Sequence, residues 1–355
     1  MCTFYWSQCG KINVYVKRRG TQEWTDKMAD LFCVKLGETM RGTFAEHVKQ
    51  YAYGEALLVL PNRFLLQSEQ QKGTVRAVNM DYLPNEILRA NRRDRFEMLS
   101  RRSQEIIVKK LIDDKKKAGQ LKYLLNIADA DSFAKIVTGF IGELSRAGTT
   151  AEEFAEAVSA WERKNGYGLK DEEIASIYTD YRKVLKKNNW YDIDGLYRLA
   201  TIELQKAGSI IPWQALFFSD FYQFDHLQLD LIAAIKDRCA VSIGIVGDMK
   251  NDELYGATLN TISDLLGRGF ELHKVSDLTD RNEELQHFCL HWKNDIVVFD
   301  KEVENIKVFE AASIENEMRT VLEDIKRKLS NGTSCEEILL VVRNLDSYNG
   351  LRNLF

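Results

Sequence analysis

Short apolar-rich runs recur along the chain and predict buried strands, because a strand covered on both faces needs apolar side chains at nearly every position. The run Ala56–Leu60 ends at a proline. Two later runs, Ala215–Phe218 and Val241–Val246, are each followed, after one small residue, by an aspartate. Weaker strand signals lie at Ile12–Lys17 and Thr74–Asn79, and the first 50 residues otherwise carry no clear pattern.

Between about residues 84 and 200 the apolar residues recur at three- and four-residue spacing, which predicts helices. Thr150 and Glu153 have the spacing of a capping box and predict the start of one helix. Another helix is predicted over Asp171–Lys187. A helix over residues 225–237 joins the two strands that end in aspartate, and this strand–helix–strand order predicts a parallel sheet.

A similar unit closes the chain. Strands are predicted at Ile306–Phe309 and Ile338–Arg343, and a helix is predicted at Ile314–Leu329 between them. The pattern then breaks off in what resembles the first turns of another helix. We therefore expect the last domain to be incomplete.

Composition narrows the class of protein. The chain has 355 residues, of which 45% are hydrophobic and 29% charged, as expected of a globular protein with two or three domains. These values exclude collagen-like, disordered and disulfide-stapled proteins. No apolar stretch approaches the roughly 20 residues of a membrane span, and the N-terminus lacks the features of a signal peptide. Six scattered cysteines without a C-x-x-C pair indicate reduced thiols, so we expect a cytoplasmic protein without membrane contact.

One basic segment contrasts with the overall net charge of −4. Residues 89 to 117 contain eleven basic and five acidic residues, a local excess of six positive charges. The spacing of Arg89, Arg92 and Arg93 predicts that they share a helix face, and Arg101 and Arg102 follow closely. Such residues are candidates for sequence-independent contacts with the phosphates of DNA. The alternative is a solvated helix surface with no ligand.

The aspartates that follow two strands form the second candidate site. Asp220 and Asp248 are expected at the same edge of a parallel sheet, where ligands of such sheets bind. In nucleotide-hydrolysing folds one such aspartate holds Mg²⁺ through water. The alternative is that both aspartates cap the helices that follow them.

The order of these segments resembles the UvrD-like helicases of superfamily one. Phe217–Gln228 resembles their Walker B region, Val246–Asp252 the next motif, and Glu336–Arg343 the strand and arginine of motif IV. The segments Ser219–Phe224, which has no glutamate after the aspartate, and Val75–Arg89 are more similar to the AddB (RexB) subunit of AddAB helicase–nucleases. The resemblance covers about residues 55 to 355.

This resemblance implies an α/β fold in which a parallel-sheet, RecA-like helicase domain carries a large helical insertion. The expected divisions are an uncertain segment at 1–54, the first part of the helicase-like domain at 55–83, the helical insertion at 84–205, the second part of the domain at 206–300, and the start of a second α/β domain at 301–355.

The resemblance also implies a function. AddB pairs with AddA at double-strand breaks, in a complex that uses ATP and Mg²⁺. Asn79, Met80 and Tyr82 lie where related helicases contact single-stranded DNA, and Tyr82 is expected to stack on a base. Asp220, Asp248 and Arg343 are the expected remnants of a nucleotide cleft. The expected partners are single-stranded or forked DNA, without sequence preference, and an AddA-like subunit.

Motor chemistry is not expected, because the phosphate loop G-x-x-x-x-G-K-[ST] is absent from the sequence. The nearest segments are Cys9–Ile12, which lacks the upstream glycine, and Gly37–Thr43, which lacks the lysine. We expect no cofactor in this chain. His287 and His291 have helix-face spacing without further ligands, so no metal site is expected.

Two alternatives stay open. In the first, the chain is an active ATP-dependent helicase whose phosphate loop is missing only from this reading of the gene. In the second, it is a scaffold that binds an AddA-like partner and does not contact DNA. Whether the chain is an enzyme is therefore not decided by its sequence.

Overall fold

The structure is a computed structural model. It describes residues 13–15, 29–35, 38–93, 95–165, 168–247, 252–275, 282–291, 297–342, 344 and 348. The chain divides into two compact units, the first within residues 1–280 and 289–296 and the second within 281–288 and 297–355.

The first unit is built on a parallel sheet. The strands in chain order are β1 (Asn13–Tyr15), β2 (Ala29–Val34), β3 (Ala56–Leu60), β4 (Ala77–Asn79), β5 (Glu97–Met98), β6 (Trp190–Tyr191), β7 (Ala215–Phe221), β8 (Ala240–Val246) and β9 (Glu271–Val275). Seven of them form one sheet in the order β1-β9-β2-β8-β7-β3-β4, with every neighbouring pair parallel. The short strands β5 and β6 pair separately.

Helices connect these strands, as parallel pairing requires. They are α1 (Arg41–Val48), α2 (Arg63–Lys72), α3 (Tyr82–Ala90), α4 (Arg101–Lys117), α5 (Asp131–Arg146), α6 (Ala151–Asn165), α7 (Leu169–Asn188), α8 (Ile193–Gln205), α9 (His226–Lys236), α10 (Asp252–Gly267), α11 (Glu283–His291) and α12 (Ile314–Ser330). Helix α12 and residues 283–288 of α11 belong to the second unit.

The sheet is buried on both faces. Leu57 and Val59 of β3 enter the core cluster on one face, and Leu58 and Leu60 enter the cluster on the other; all four are fully buried. Both faces are covered because the crossover helices pack on both sides. This double burial is the reason that the run Ala56–Leu60 is apolar at every position.

The predicted strands at residues 56–60, 215–220 and 241–248 are confirmed as β3, β7 and β8, with ends that differ by up to two residues. The predicted helices at 171–187, 225–237 and 314–329 are confirmed as α7, α9 and α12. The capping box is also present: the Glu153 N–H donates to Thr150 Oγ1 (3.1 Å), and the Thr150 N–H donates to Glu153 Oε2 (2.8 Å).

Two strands of the sheet have no counterpart among the predictions. β2 lies in the middle of the sheet, between β8 and β9, yet it falls in the segment without a clear pattern. β2 and β9 each carry a buried polar residue, and Asp30 Oδ1 lies 2.7 Å from His273 Nε2. A buried polar residue interrupts the apolar run by which a strand is recognised.

The strand predictions in the second unit are wrong for the residues that the structure describes. Residues 306–309 and 338–342 form no strand, although the helix between them is present as α12. A strand needs a neighbour to satisfy its N–H and C=O groups. Within the described part of this unit no neighbouring strand accompanies these apolar segments.

Helices α4 to α7 form a layer with its own apolar core. Val108 and Ile112 of α4, Val137 and Ile141 of α5, and Tyr178 of α7 are buried together. A separate core indicates that this layer folds around its own apolar contacts and is joined to the sheet through α8, which packs on α3 and α9. None of the described helices is long and apolar enough to cross a membrane.

The buried carboxyl of Asp194, at the start of α8, makes stability depend on pH. Burial, and next the neighbouring Asp192, raise the pKa of Asp194 to about 6 from an ordinary 3.8. Between these two values the folded state binds a proton that the unfolded state lacks, so the stabilising contribution of Asp194 is complete below pH 3.8 and is lost as the pH rises through 6.

We therefore expect the free energy of unfolding of Asp194→Asn to exceed that of the unmodified chain by about 2 kcal/mol at pH 7.5. At pH 4 we expect the two free energies to be nearly equal. Urea unfolding at both pH values measures this effect. Asp237→Asn, at an exposed position, is the control and is expected to change neither value by more than about 0.5 kcal/mol. Equal effects of Asp194→Asn at the two pH values contradict the prediction.

Candidate nucleic-acid interface and nucleotide cleft

The carboxyl ends of the seven parallel strands open at one edge of the sheet, and the residues that follow the strands lie there. Asn79 ends β4 and Tyr82 begins α3, so both predicted single-strand contacts lie at this edge. Asp220 lies near the end of β7, at the same edge. Asp248 and Arg343 lie outside the described residues.

A cavity of about 430 Å³ lies beside β4, and both Asn79 and Tyr82 line it. Its other polar lining residues are Tyr53, Gln70 and Arg76, which the sequence interpretation missed. Arg76 comes just before an edge strand, within the segment Val75–Arg89, and no contact was expected from it.

Arg76 and Tyr82 form a contact pair in this cavity. The Arg76 guanidinium lies over the Tyr82 ring, 5.5 Å from its centroid, and also donates a hydrogen bond to the phenol oxygen. Burial, and next the nearby Glu86, raise the pKa of Tyr82, so the phenol stays neutral at pH 7. No carboxylate pairs with Arg76 in the described parts of the chain. Its remaining N–H groups are donors for an anion.

The other residues predicted near this position have different roles. Asn79 is exposed, and its Oδ1 accepts a hydrogen bond from the Tyr82 N–H (3.1 Å), so it supports the first turn of α3. Met80 is buried in the sheet core and cannot contact a nucleic acid strand, which corrects that part of the sequence interpretation. Its side chain packs inward because it follows the last residue of an edge strand that is covered by α3.

The basic residues after β4 do not share a helix face, and that prediction is wrong. Helix α3 ends at Ala90, so Arg89 lies in its last turn while Arg92 and Arg93 lie beyond it. Arg92 has a positive φ of 56°, which turns the chain away from the helix. Arg89 pairs with Glu86, and Arg93 Nε lies 3.4 Å from Glu203 of α8.

Arg101 and Arg102 start α4, in the helical layer, and both pair with Glu105. Arg101 also donates to the Thr138 carbonyl. Across residues 89–117, seven of the eleven basic residues have an acidic partner: Arg89, Arg93, Arg101, Arg102, Lys109, Lys115 and Lys116. Lys115 is buried against Asp180 and is not available to a phosphate. The segment is therefore less positive at the surface than its composition indicates.

Asp220 does not cap the following helix. That position is taken by Asp225, which forms a capping box with Gln228 at the start of α9. Asp220 instead has a positive φ of 64° and accepts a hydrogen bond from Ser219 Oγ (3.0 Å). Left-handed conformations are uncommon outside glycine, although aspartate tolerates them better than most residues. The Asp220 carboxylate also lies 3.9 Å from Arg41 Nε.

The segment Gly37–Thr43, which has glycine spacing without the lysine, joins β2 to α1, where a phosphate loop lies in helicase-like folds. Thr39 Oγ1 lies 3.4 Å from Ser219 Oγ, and Arg41 begins the helix. Arg41 was not singled out from the sequence, because its partners lie far along the chain. The other candidate segment, Cys9–Ile12, lies outside the described residues.

A parallel sheet with covering helices, a helical layer inserted after β4 and polar residues at the carboxyl edge define a helicase-like α/β domain. The family model for the N-terminal region of AddB matches residues 45–273, which is more than half of the chain. The chain therefore belongs to the AddB N-terminal family. No curated protein matches it.

Proposed function

We propose that this chain is the DNA-binding, non-motor, helicase-like portion of an AddB-type subunit, which acts with an AddA-like subunit in double-strand break processing and recombinational repair. Membership of the AddB family supports the identity of the subunit. The observation that carries DNA contact is the Arg76 guanidinium over the Tyr82 ring, in a cavity beside the edge strand β4.

This pair combines the two interactions that single-stranded DNA offers without regard to sequence. A guanidinium without an acidic partner attracts a phosphate. An aromatic ring provides a stacking surface worth about 1–3 kcal/mol per base. Two further exposed aromatic residues are Phe64 and Tyr222. They follow the neighbouring strands β3 and β7 at the carboxyl edge of the sheet, where Tyr82 begins α3.

The basic residues are available to DNA phosphates to the extent that their present ion pairs are weak. Arg89, Arg101 and Arg102 are exposed, and their ion pairs are each worth at most about 1 kcal/mol, so these pairs are exchanged for phosphates at little cost. Arg93 pairs with the buried Glu203 and is less available. Arg92 has no acidic partner among the described residues and is the most available of the set. ATP-driven movement is assigned to the AddA-like partner, because no lysine is present at the start of α1.

Arg76→Ala is expected to weaken binding of single-stranded and forked DNA about tenfold at moderate salt, because it removes a phosphate contact and releases the Tyr82 ring. Arg92→Glu is expected to weaken binding by a similar factor and to reduce the steepness of the salt dependence by about 0.7 in the log–log slope. Fluorescence polarisation across a salt series measures both effects.

Arg268→Ala is the matched control. Arg268 precedes β9, which lies near the other end of the strand order from β4, and it pairs with Asp230. We expect its DNA affinity to match that of the unmodified chain. If the folded chain binds no DNA at low salt, the DNA-binding proposal fails and the scaffold that binds only an AddA-like partner is favoured. If Arg76→Ala and Arg268→Ala behave alike, DNA binds elsewhere.

A further inference from the structure

The cleft in which related helicases bind nucleotide is occupied in this chain by ion pairs of its own residues. Arg41 begins α1, the first helix after the inner strand β2. Its Nε lies 3.3 Å from Glu69 Oε1 of α2 and 3.9 Å from Asp220 Oδ2 of β7. Three separate elements therefore meet at one guanidinium.

The charges of this cluster balance. Glu69 is almost completely buried, and its carboxylate also lies 2.7 Å from Lys72 Nζ. Two cations, Arg41 and Lys72, thus face two carboxylates, Glu69 and Asp220. A buried carboxylate needs such partners because the loss of hydration is costly. Each acid in the cluster has a cation within 4 Å.

The same elements lack the side chains that hold a nucleotide. A phosphate loop needs glycine next to its lysine so that the backbone can approach the phosphates. In the segment Gly37–Thr43 the second glycine is Gly42, and Thr43 stands where the lysine is needed. Met40 is buried and packs against β8, where a Cβ on Gly244 would lie 2.8 Å from Met40 Cβ. The Asp220 carboxylate, which would hold Mg²⁺, faces a guanidinium instead. These residues do not fit a magnesium–nucleotide complex.

We propose that Arg41 is a built-in counter-charge that replaces the magnesium–nucleotide complex. It neutralises Glu69 and Asp220 and joins α1, α2 and β7 without nucleotide. The left-handed backbone of Asp220 is stabilised by the same contact and by the Ser219 hydroxyl. This role does not depend on whether the chain binds DNA.

Removal of the guanidinium tests the proposal. Arg41→Ala is expected to lower the melting temperature by about 5 °C, because two carboxylates lose their shared partner. Lys49→Ala removes one positive charge from an exposed pair with Glu46, at the end of α1, and is expected to change the melting temperature by less than about 1 °C. Millimolar Mg²⁺ is expected to restore part of the loss in Arg41→Ala and to leave the unmodified chain unchanged.

A second measurement does not require the variant to fold. A fluorescent ATP analogue with Mg²⁺ is titrated into the unmodified chain, and no saturable binding is expected. The proposal is overturned if the unmodified chain binds the analogue and Arg41→Lys or Arg41→Ala weakens that binding, since Arg41 is then a phosphate ligand. It is also overturned if Arg41→Ala is as stable as Lys49→Ala. Neither result bears on DNA affinity, which is measured separately.

Discussion

Replacement of Asp192 by alanine is expected to lower the free energy of unfolding by about 4 kcal/mol, the largest effect of any substitution considered for this chain. Asp192 is buried between β6 and α8. Its carboxylate oxygens lie 3.0 and 3.1 Å from one guanidinium nitrogen of Arg182, and one oxygen accepts the Tyr181 O–H (3.1 Å). The other oxygen caps α8 through the Gly195 N–H (2.8 Å).

The large loss in free energy of unfolding arises because Asp192→Ala leaves the buried Arg182 guanidinium without its carboxylate partner. In the unmodified chain burial opposes the charge of Arg182, and the neighbouring Asp192 carboxylate raises the pKa of Arg182. Without Asp192 the guanidinium still keeps its proton, because arginine is not deprotonated in proteins. A buried charge that loses its partner costs about 3–5 kcal/mol, and the lost helix cap adds about 1 kcal/mol. Part of this cost is relieved because the Arg182 guanidinium also contacts Ser145 and the ring of Tyr178.

Urea unfolding of three variants measures this effect. Asp192→Asn keeps an acceptor for the cap and loses the charge, so its free energy of unfolding should lie between those of Asp192→Ala and the unmodified chain. Asp237→Ala, which removes an exposed aspartate paired only with Lys236, is expected to cost less than about 0.5 kcal/mol. An Asp192→Ala value close to that of Asp237→Ala contradicts the expectation.

Replacement of Glu173 by alanine is expected to lower the free energy of unfolding by about 3 kcal/mol. Glu173, in the first turns of α7, is buried, and its carboxylate accepts three backbone N–H groups from the loop after α4: Lys122 (2.6 Å), Tyr123 (2.9 Å) and Leu124 (2.9 Å). A hydrogen bond to a charged acceptor contributes about 1.5–3 kcal/mol. The total stays below the sum because water reaches the exposed part of the loop.

Glu156→Ala is the matched control, because Glu156 is an exposed glutamate on the neighbouring helix α6. Its expected effect on the free energy of unfolding is below about 0.5 kcal/mol. Hydrogen exchange adds a local measurement, since the amides of residues 122–124 should lose protection in Glu173→Ala and keep it in Glu156→Ala. Unchanged protection of these amides would falsify the assigned role of Glu173.

Glu173 and Asp192 together connect the helices of the helical layer to each other and to α8. Glu173 fixes the loop between α4 and α5 to α7, and Asp192 fixes α7 to α8, which packs on the helices next to the sheet. The predicted DNA contacts lie on both sides of this connection, with Tyr82 at the sheet edge and Arg101 in the helical layer. A variant that loosens the connection should therefore reduce any DNA binding that uses both places.

The sequence by itself determined two kinds of element: strands that are apolar at nearly every position, and helices whose apolar residues recur at helical spacing. β3, β7 and β8 were readable because each strand packs apolar side chains on both faces, and α7, α9 and α12 were readable from local helical spacing. It also determined the edge at which Tyr82 and Asp220 lie, because parallel strands end on the same side. These properties depend on neighbours within a few residues along the chain.

Only the tertiary structure decided the centre of the sheet and the chemistry of the cleft. β2 was not readable because Asp30 interrupts its apolar run, and its partner His273 is 243 residues away. Arg41 gained its role only when folding brought Glu69 and Asp220 to one guanidinium. The basic segment lost much of its apparent charge to acids such as Glu203 and Asp180. Each of these outcomes depends on polar partners from distant parts of the chain, and a buried charge is tolerated only where folding supplies such a partner.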